Sequence, residues 1–151
     1  MARAIALSIE NVRQDGGPFG AVVVKNGKII AEGLNSVTTA NDPTAHAEVM
    51  AIRNACRHLG VFELPGCEIY SSCEPCPMCL GAIYWARPDR VFFANTAADA
   101  AQFGFDDAFI YGEIGVSHGD RKIPMVHLHL MQEEALAGFR EWEKKHDKIS
   151  Y

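Results

Sequence analysis

The stretch Cys67-Glu68-Ile69-Tyr70-Ser71-Ser72 runs straight into Cys73-Glu74-Pro75-Cys76-Pro77-Met78-Cys79, and this junction organises the reading of the chain. Residues 67–72 read as a buried strand. Pro75 opens a helix running to about Ala86, because proline suits a first turn whose N–H groups lack intrahelical partners. Cys76 and Cys79 then share one face of one turn. The partial positive charge of a helix N-terminus favours thiolate, the form that binds metal.

Thirty residues before Cys76 stands Thr44-Ala45-His46-Ala47-Glu48. Asn41-Asp42-Pro43-Thr44 offers several caps for a helix that Gly60 closes, and Val49, Ile52, Ala55, Cys56 and Leu59 follow helical spacing within it. His46 and Glu48 fall in its first turn. One imidazole and two thiolates leave a zinc ion one ligand short of a tetrahedron. A structural zinc closes that position with a fourth side chain, whereas a catalytic zinc keeps it for water. Glu48 is placed to move protons for that water. Each half of the pattern alone is weak, since Cys76 and Cys79 could be buried thiols and Glu48 a surface carboxylate. Together, in this order, they match the His-x-Glu, Pro-Cys-x-x-Cys signature of zinc deaminases.

Cys73 also makes a legal Cys-x-x-Cys pair with Cys76. Cys73, Cys76 and Cys79 imitate the start of an iron–sulfur motif, but that motif needs a further cysteine after three intervening residues, and position 83 is isoleucine. Cys73 reads as a strand-end residue beside the site, able to lend its sulfur from outside the ligand set. Cys56 and Cys67 read as small buried hydrophobes.

Outward from these motifs, residues 2–14 read as an amphipathic helix. Ala21-Val22-Val23-Val24 and Ile29-Ile30-Ala31 read as a hairpin around Asn26-Gly27, whose central residues accept positive φ. Gly16-Gly17-Pro18-Phe19-Gly20 is a turn and not a phosphate cradle, because a strand follows it. Arg90 to Ala94 is a further strand, Pro124 to Leu130 an edge strand with His127 and His129 on its polar face, and Gln132 to Lys145 a last helix. The expected fold class is α/β: a three-layer α/β/α sandwich with a mixed central sheet. We expect residues 1–151 to form a single zinc-dependent deaminase domain.

The chain has 151 residues, 48% of them hydrophobic and 22% charged, which is ordinary for one globular domain. No apolar run approaches the roughly 20 residues needed to span a bilayer, and Glu10 interrupts the apolar start, so no signal peptide or membrane association is expected. Five cysteines, three of them within seven positions, suit a reduced metal-binding protein rather than a disulfide framework. The expected location is cytoplasmic. A net charge of −5 argues against nucleic acid as partner, because such proteins gain affinity by neutralising phosphates. Lys144, Lys145 and Lys148 are interleaved with Glu141, Glu143 and Asp147, a solvated helix face.

These residues resemble the cytidine deaminase superfamily over nearly the whole chain. Within it, Gly17–Val23, Asn41–Glu48, Ser72–Arg87 and Gly104-Phe105-Asp106-Asp107-Ala108-Phe109-Ile110-Tyr111 are similar to the short bacterial guanine deaminases. The zinc motif is common to the superfamily; the Gly-Phe-Asp-Asp segment and a C-terminal aromatic point to guanine. The resemblance implies zinc on His46, Cys76 and Cys79, acid–base work by Glu48, and hydrolysis of guanine to xanthine and ammonia. It also implies substrate contacts from Asn35, the backbone of Ala47, Asp107, Phe19 and Trp85. It further implies a homodimer in which residues 131–151, a C-terminal helix and tail, cross between subunits so that Tyr151 closes the neighbour's pocket. Read without it, Asp107 is as readily loop and cap chemistry, and Tyr151 a frayed terminus. The alternatives are a transfer-RNA adenosine deaminase, a deaminase of free cytosine or aminotriazines, and a zinc-stabilised interaction module without activity.

Overall fold

Gly33, Ala21 and Ser71 lie side by side across three neighbouring strands of the computed structural model, which describes residues 1–151. Their small side chains let a helix approach the sheet closely. A Cβ on Gly33 would stand 2.1 Å from the Ala47 carbonyl oxygen, so the helix start can sit where it does only above a glycine. The strands are β1 (Gly20–Lys25), β2 (Lys28–Leu34), β3 (Cys67–Cys73) and β4 (Arg90–Asn95). They form one mixed sheet in the order β2-β1-β3-β4, in which β1 is antiparallel to both neighbours and β4 parallel to β3.

The helices are α1 (Ala2–Val12), a single turn α2 (Val37–Ala40), α3 (Ala47–Leu59), α4 (Pro77–Ala86), α5 (Ala97–Gln102), α6 (Ala108–Ile114) and α7 (Gln132–Lys144). Successive side chains on a strand point to opposite faces. Gly33 and Ala21 face α3; Gly20, the neighbour of Ala21, faces α1, where an added Cβ would meet the Ala4 carbonyl at 2.5 Å. The two helices therefore cover opposite faces, as the three-layer reading requires. The buried cluster between the sheet, α3 and α4 includes Val23, Ala51, Ala55, Leu64, Ile69 and Ile83.

The hairpin forms as its sequence dictates, with Asn26 at φ 51° and Gly27 at φ 72°. Three boundaries differ from expectation. The first helix ends at Val12 rather than residue 14. The second major helix starts at Ala47 rather than at the Asn41–Thr44 caps: Asp42 Oδ1 accepts from the Thr44 amide at 2.8 Å and its hydroxyl at 2.7 Å, so that carboxylate closes a turn and caps no helix. Pro75 lies outside α4, whose first residue is Pro77.

The chain divides into two compact units, Met1–Ala108 and Phe109–Tyr151. The first holds the whole sheet. The second is built of α7, most of α6 and 3-10 turns at His118–Asp120 and His129–Met131. Pro124 to Leu130 forms no strand, contrary to the sequence reading: it joins no sheet, its Met125 amide donating to the His118 carbonyl at 2.9 Å, and the His127 and His129 rings lie 3.9 Å apart. Within this unit Arg121 donates to the carbonyls of Ile114 and Val116, which folds the segment back on itself. Its apolar side chains remain outward, Leu130 at 94% exposure and Ile123 at 83%. No helix of the chain is long and apolar enough to cross a membrane.

Candidate active site

His46 and Cys76 are the N-cap residues of α3 and α4, so two helix N-termini converge on one spot. Cys76 and Cys79 face it together because Pro77 starts the helix between them, with the Cys79 amide donating to Cys76 Sγ. Both sulfurs stand 3.5 Å from His46 Nδ1, and all three ligand atoms lie within 4.8 Å of one another. A tetrahedral zinc with Zn–S near 2.3 Å and Zn–N near 2.0–2.1 Å sets adjacent sulfur and nitrogen about 3.5 Å apart. The donor set fits zinc in chemistry and in spacing.

The two thiols titrate as a pair. A hydrogen bond from Cys79, with another from His46, pulls Cys76 down to about 4, while the shared proton and burial push Cys79 up. His46 is raised by its bond to the Cys76 sulfur. Cys73 lies outside the ligand group. Its Sγ donates to the Thr96 carbonyl at 3.7 Å, and burial holds its pKa up at about 11, so it stays a thiol.

Glu48, in the first turn of α3, is 4% exposed. Its Oε1 accepts from the Ser71 hydroxyl at 2.7 Å, and its Oε2 lies 3.3 Å from Cys79 Sγ, beside the ligand group. An ionisable group this deeply buried needs partners, and β3 and α4 supply them.

Asn35 is buried at the end of β2. Its amide donates to the Phe19 carbonyl, its Oδ1 accepts from Val37, and its Nδ2 donates to nothing in the chain, leaving a donor for a ligand. Phe19 meets Phe105 edge to face, ring centres 5.0 Å apart. In the Gly-Phe-Asp-Asp segment Asp106 does the capping, accepting from the Ala108 amide at 2.9 Å. Asp107 is half-buried, and desolvation first, then the charge of Cys76, raises its pKa. Ala47 is fully buried at the start of α3. On α4 Cys79, Ile83 and Ala86 are buried, while Trp85 is 63% exposed. Tyr151 ends the second unit, 72% exposed.

Three residues escaped the sequence reading. Ser71 shows in sequence only as a hydroxyl at an inward strand position. Phe105 sits in the Gly-Phe-Asp-Asp segment, and nothing in residue order pairs its ring with Phe19. Asn11, buried in α1, donates to the carbonyls of Gly17 and Asn35 at 2.7 and 2.8 Å and ties together the two loops that carry Phe19 and Asn35. Nothing in a lone asparagine on a helix announces that.

The cytidine and deoxycytidylate deaminase zinc-binding region matches residues 1–95, which include all four strands and the metal group. Guanine deaminase of Bacillus subtilis is 56% identical over 152 aligned positions, covering 100% of this chain and 96% of that protein. Its X-ray structure superposes with a TM-score of 0.96 over 99% of this chain and 95% of that one. The tRNA-specific adenosine deaminase of Aquifex aeolicus is 49% identical, over 51% of each chain. A guanine deaminase structure from Nitrosomonas europaea is 34% identical with a TM-score of 0.68, covering 70% of this chain and 62% of that one. A match over the sheet and the metal group, joined to likeness along the full length, is stronger ground than any one motif: the chain belongs to the cytidine and deoxycytidylate deaminase zinc-binding family, among the guanine deaminases.

Proposed function

We propose that this chain hydrolyses guanine to xanthine and ammonia. The observation that carries the reaction class is the buried Glu48 carboxylate beside the His46, Cys76 and Cys79 group. The full-length likeness to a guanine deaminase carries the substrate. Zinc, when bound, supplies Lewis acidity that makes water a nucleophile near neutral pH. Glu48 takes a proton from the attacking water and delivers it to the departing amino nitrogen. The C–O bond forms first and makes the ring carbon tetrahedral; the C–N bond then breaks, and the protonated amino group leaves as ammonia. His46, Cys76 and Cys79 hold the metal, and Cys73 does not.

Asp107 accepts the ring N–H and exocyclic amine of guanine, two donors side by side, while Asn35 donates through Nδ2. The Ala47 backbone, Phe19 and Phe105 flank the ring. The transfer-RNA deaminases match only about half to two thirds of the chain, and a net charge of −5 suits a free base better than RNA.

A homodimer completes this reading. The apolar Ile123–Leu130 segment is exposed within its own unit, and β4 ends the sheet with Phe93 46% exposed. Exchange of the C-terminal segment between copies would cover such surfaces and bring Tyr151 and Trp85 to a shared pocket, so that residues 1–151 make one deaminase domain. The five free cysteines support a cytoplasmic, reducing setting. The deciding experiment is ammonia release from a panel of guanine, adenine, cytosine, nucleosides and aminotriazines. Release from guanine is expected; preference for adenosine in RNA or for free cytosine would overturn the assignment.

A further inference from the structure

We infer that Ser71 is a positioning residue for the reaction, setting which oxygen of Glu48 faces the metal group. This inference rests on the deaminase reading above. The inward-facing positions of β3 are Cys67, Ile69, Ser71 and Cys73, all buried, and Ser71 is the one hydroxyl among them. It is 0% exposed and in register with Ala21 on one side and Phe93 on the other, beneath the start of α3. Its hydroxyl donates to Glu48 Oε1 at 2.7 Å and accepts weakly from the Cys73 amide at 3.4 Å. The carboxylate is thereby pinned by one oxygen, and Oε2 is turned to the side of Cys79 Sγ.

Ser72, next along the strand, faces the other way and accepts from the Gly20 amide at 3.0 Å, a bond between strands with no path to Glu48. Two adjacent serines thus have different tasks: one holds the sheet, the other aims the proton carrier. A carboxylate free to rotate about its last torsion spends part of its time with neither oxygen in line for transfer. Misplacement of a reacting group by about 1 Å costs on the order of 100-fold in rate. The Ser71 bond makes no demand on the substrate, so its loss should fall on turnover and spare binding.

The test compares wild type, Ser71→Ala, Ser71→Thr, Glu48→Gln and the Ser71→Ala/Glu48→Gln double variant as zinc-loaded proteins, with metal content and guanine kinetics measured on each. Ser71→Ala should keep its zinc and its KM while kcat falls about 10- to 100-fold. Ser71→Thr, which keeps the hydroxyl, should retain most of the turnover and serves if the alanine variant does not fold. In the Glu48→Gln background Ser71→Ala should cost little more, because the serine acts through the carboxylate. Wild-type kcat in zinc-loaded Ser71→Ala overturns the inference, as does an equal loss in both backgrounds or a folded Ser71→Thr as slow as alanine. A wild type inactive on guanine would instead refute the substrate reading, a separate outcome.

Discussion

His46 Nδ1 and Cys79 Sγ stand 3.5 Å apart across thirty-three residues of sequence, brought together by the N-termini of two helices packed on the same sheet face. Replacing either atom removes a third of the ligand set. Cys79→Ala should lose most of its zinc by metal analysis, whereas Cys73→Ala, whose sulfur bonds to Thr96, should keep it. Loss of metal from Cys73→Ala would show the ligand assignment to be wrong. Chelation should lower the thermal midpoint of the wild type, because a ligand bound only by the folded chain stabilises it.

Glu48→Gln preserves the shape of the side chain and its bond from Ser71 but cannot carry the proton. Zinc should remain, and turnover should drop by roughly two to four orders of magnitude, the usual worth of a general acid–base group. Near-normal turnover would remove Glu48 from the mechanism.

Asp107 tests specificity. Adenine and cytosine place an acceptor beside their amine, so a carboxylate that suits guanine would face a lone pair. Sites built on such bonds reject the wrong base by factors up to about 10⁴–10⁵. Asp107→Asn should lose guanine activity and keep zinc. Burial raises the pKa of this carboxyl, and the protonated form no longer accepts two bonds. KM of the wild type for guanine should therefore rise on acidification sooner than an ordinary carboxylate would allow. An unchanged variant would exclude Asp107 from substrate binding.

Gly33→Ala tests the seat of α3. The new Cβ would meet backbone at 2.1 Å from the Ala47 oxygen and 2.3 Å from the Ala51 nitrogen, and neither atom can swing aside. Overpacking of this kind costs about 1–3 kcal/mol, to be read from urea unfolding of the zinc-loaded protein. Full stability would mean that α3 slides freely over β2.

Removal of Ile149-Ser150-Tyr151 should cripple activity while leaving zinc in place. Mixing tail-deleted chains with Glu48→Gln chains should then restore part of it, since one pocket of each mixed dimer regains both parts. No rescue after confirmed subunit exchange would refute the shared pocket.

The metal centre and the layered architecture were legible in residue order alone. Spacing decides what one turn of helix presents, so Cys76, Pro77 and Cys79 already specify a pair of thiols, and Asn26-Gly27 its hairpin; such relations span a few residues and depend on local backbone geometry. Contacts between distant segments were not legible in the same way. The bond from Ser71 to Glu48, the tie of Asn11 to the Gly17 and Asn35 loops, and the small row of Gly33, Ala21 and Ser71 under α3 arise only when strands take their register and helices settle on them. The reading of Pro124–Leu130 as a strand failed for the same reason. Its apolar residues favour extended structure, but a strand exists only where a neighbouring strand supplies a ladder of hydrogen bonds, and the four strands of the sheet pair only with one another. Local chemistry could be read from residue order; the choice of partner for each group belonged to the tertiary structure, because burial and pairing are properties of surfaces that meet only on folding.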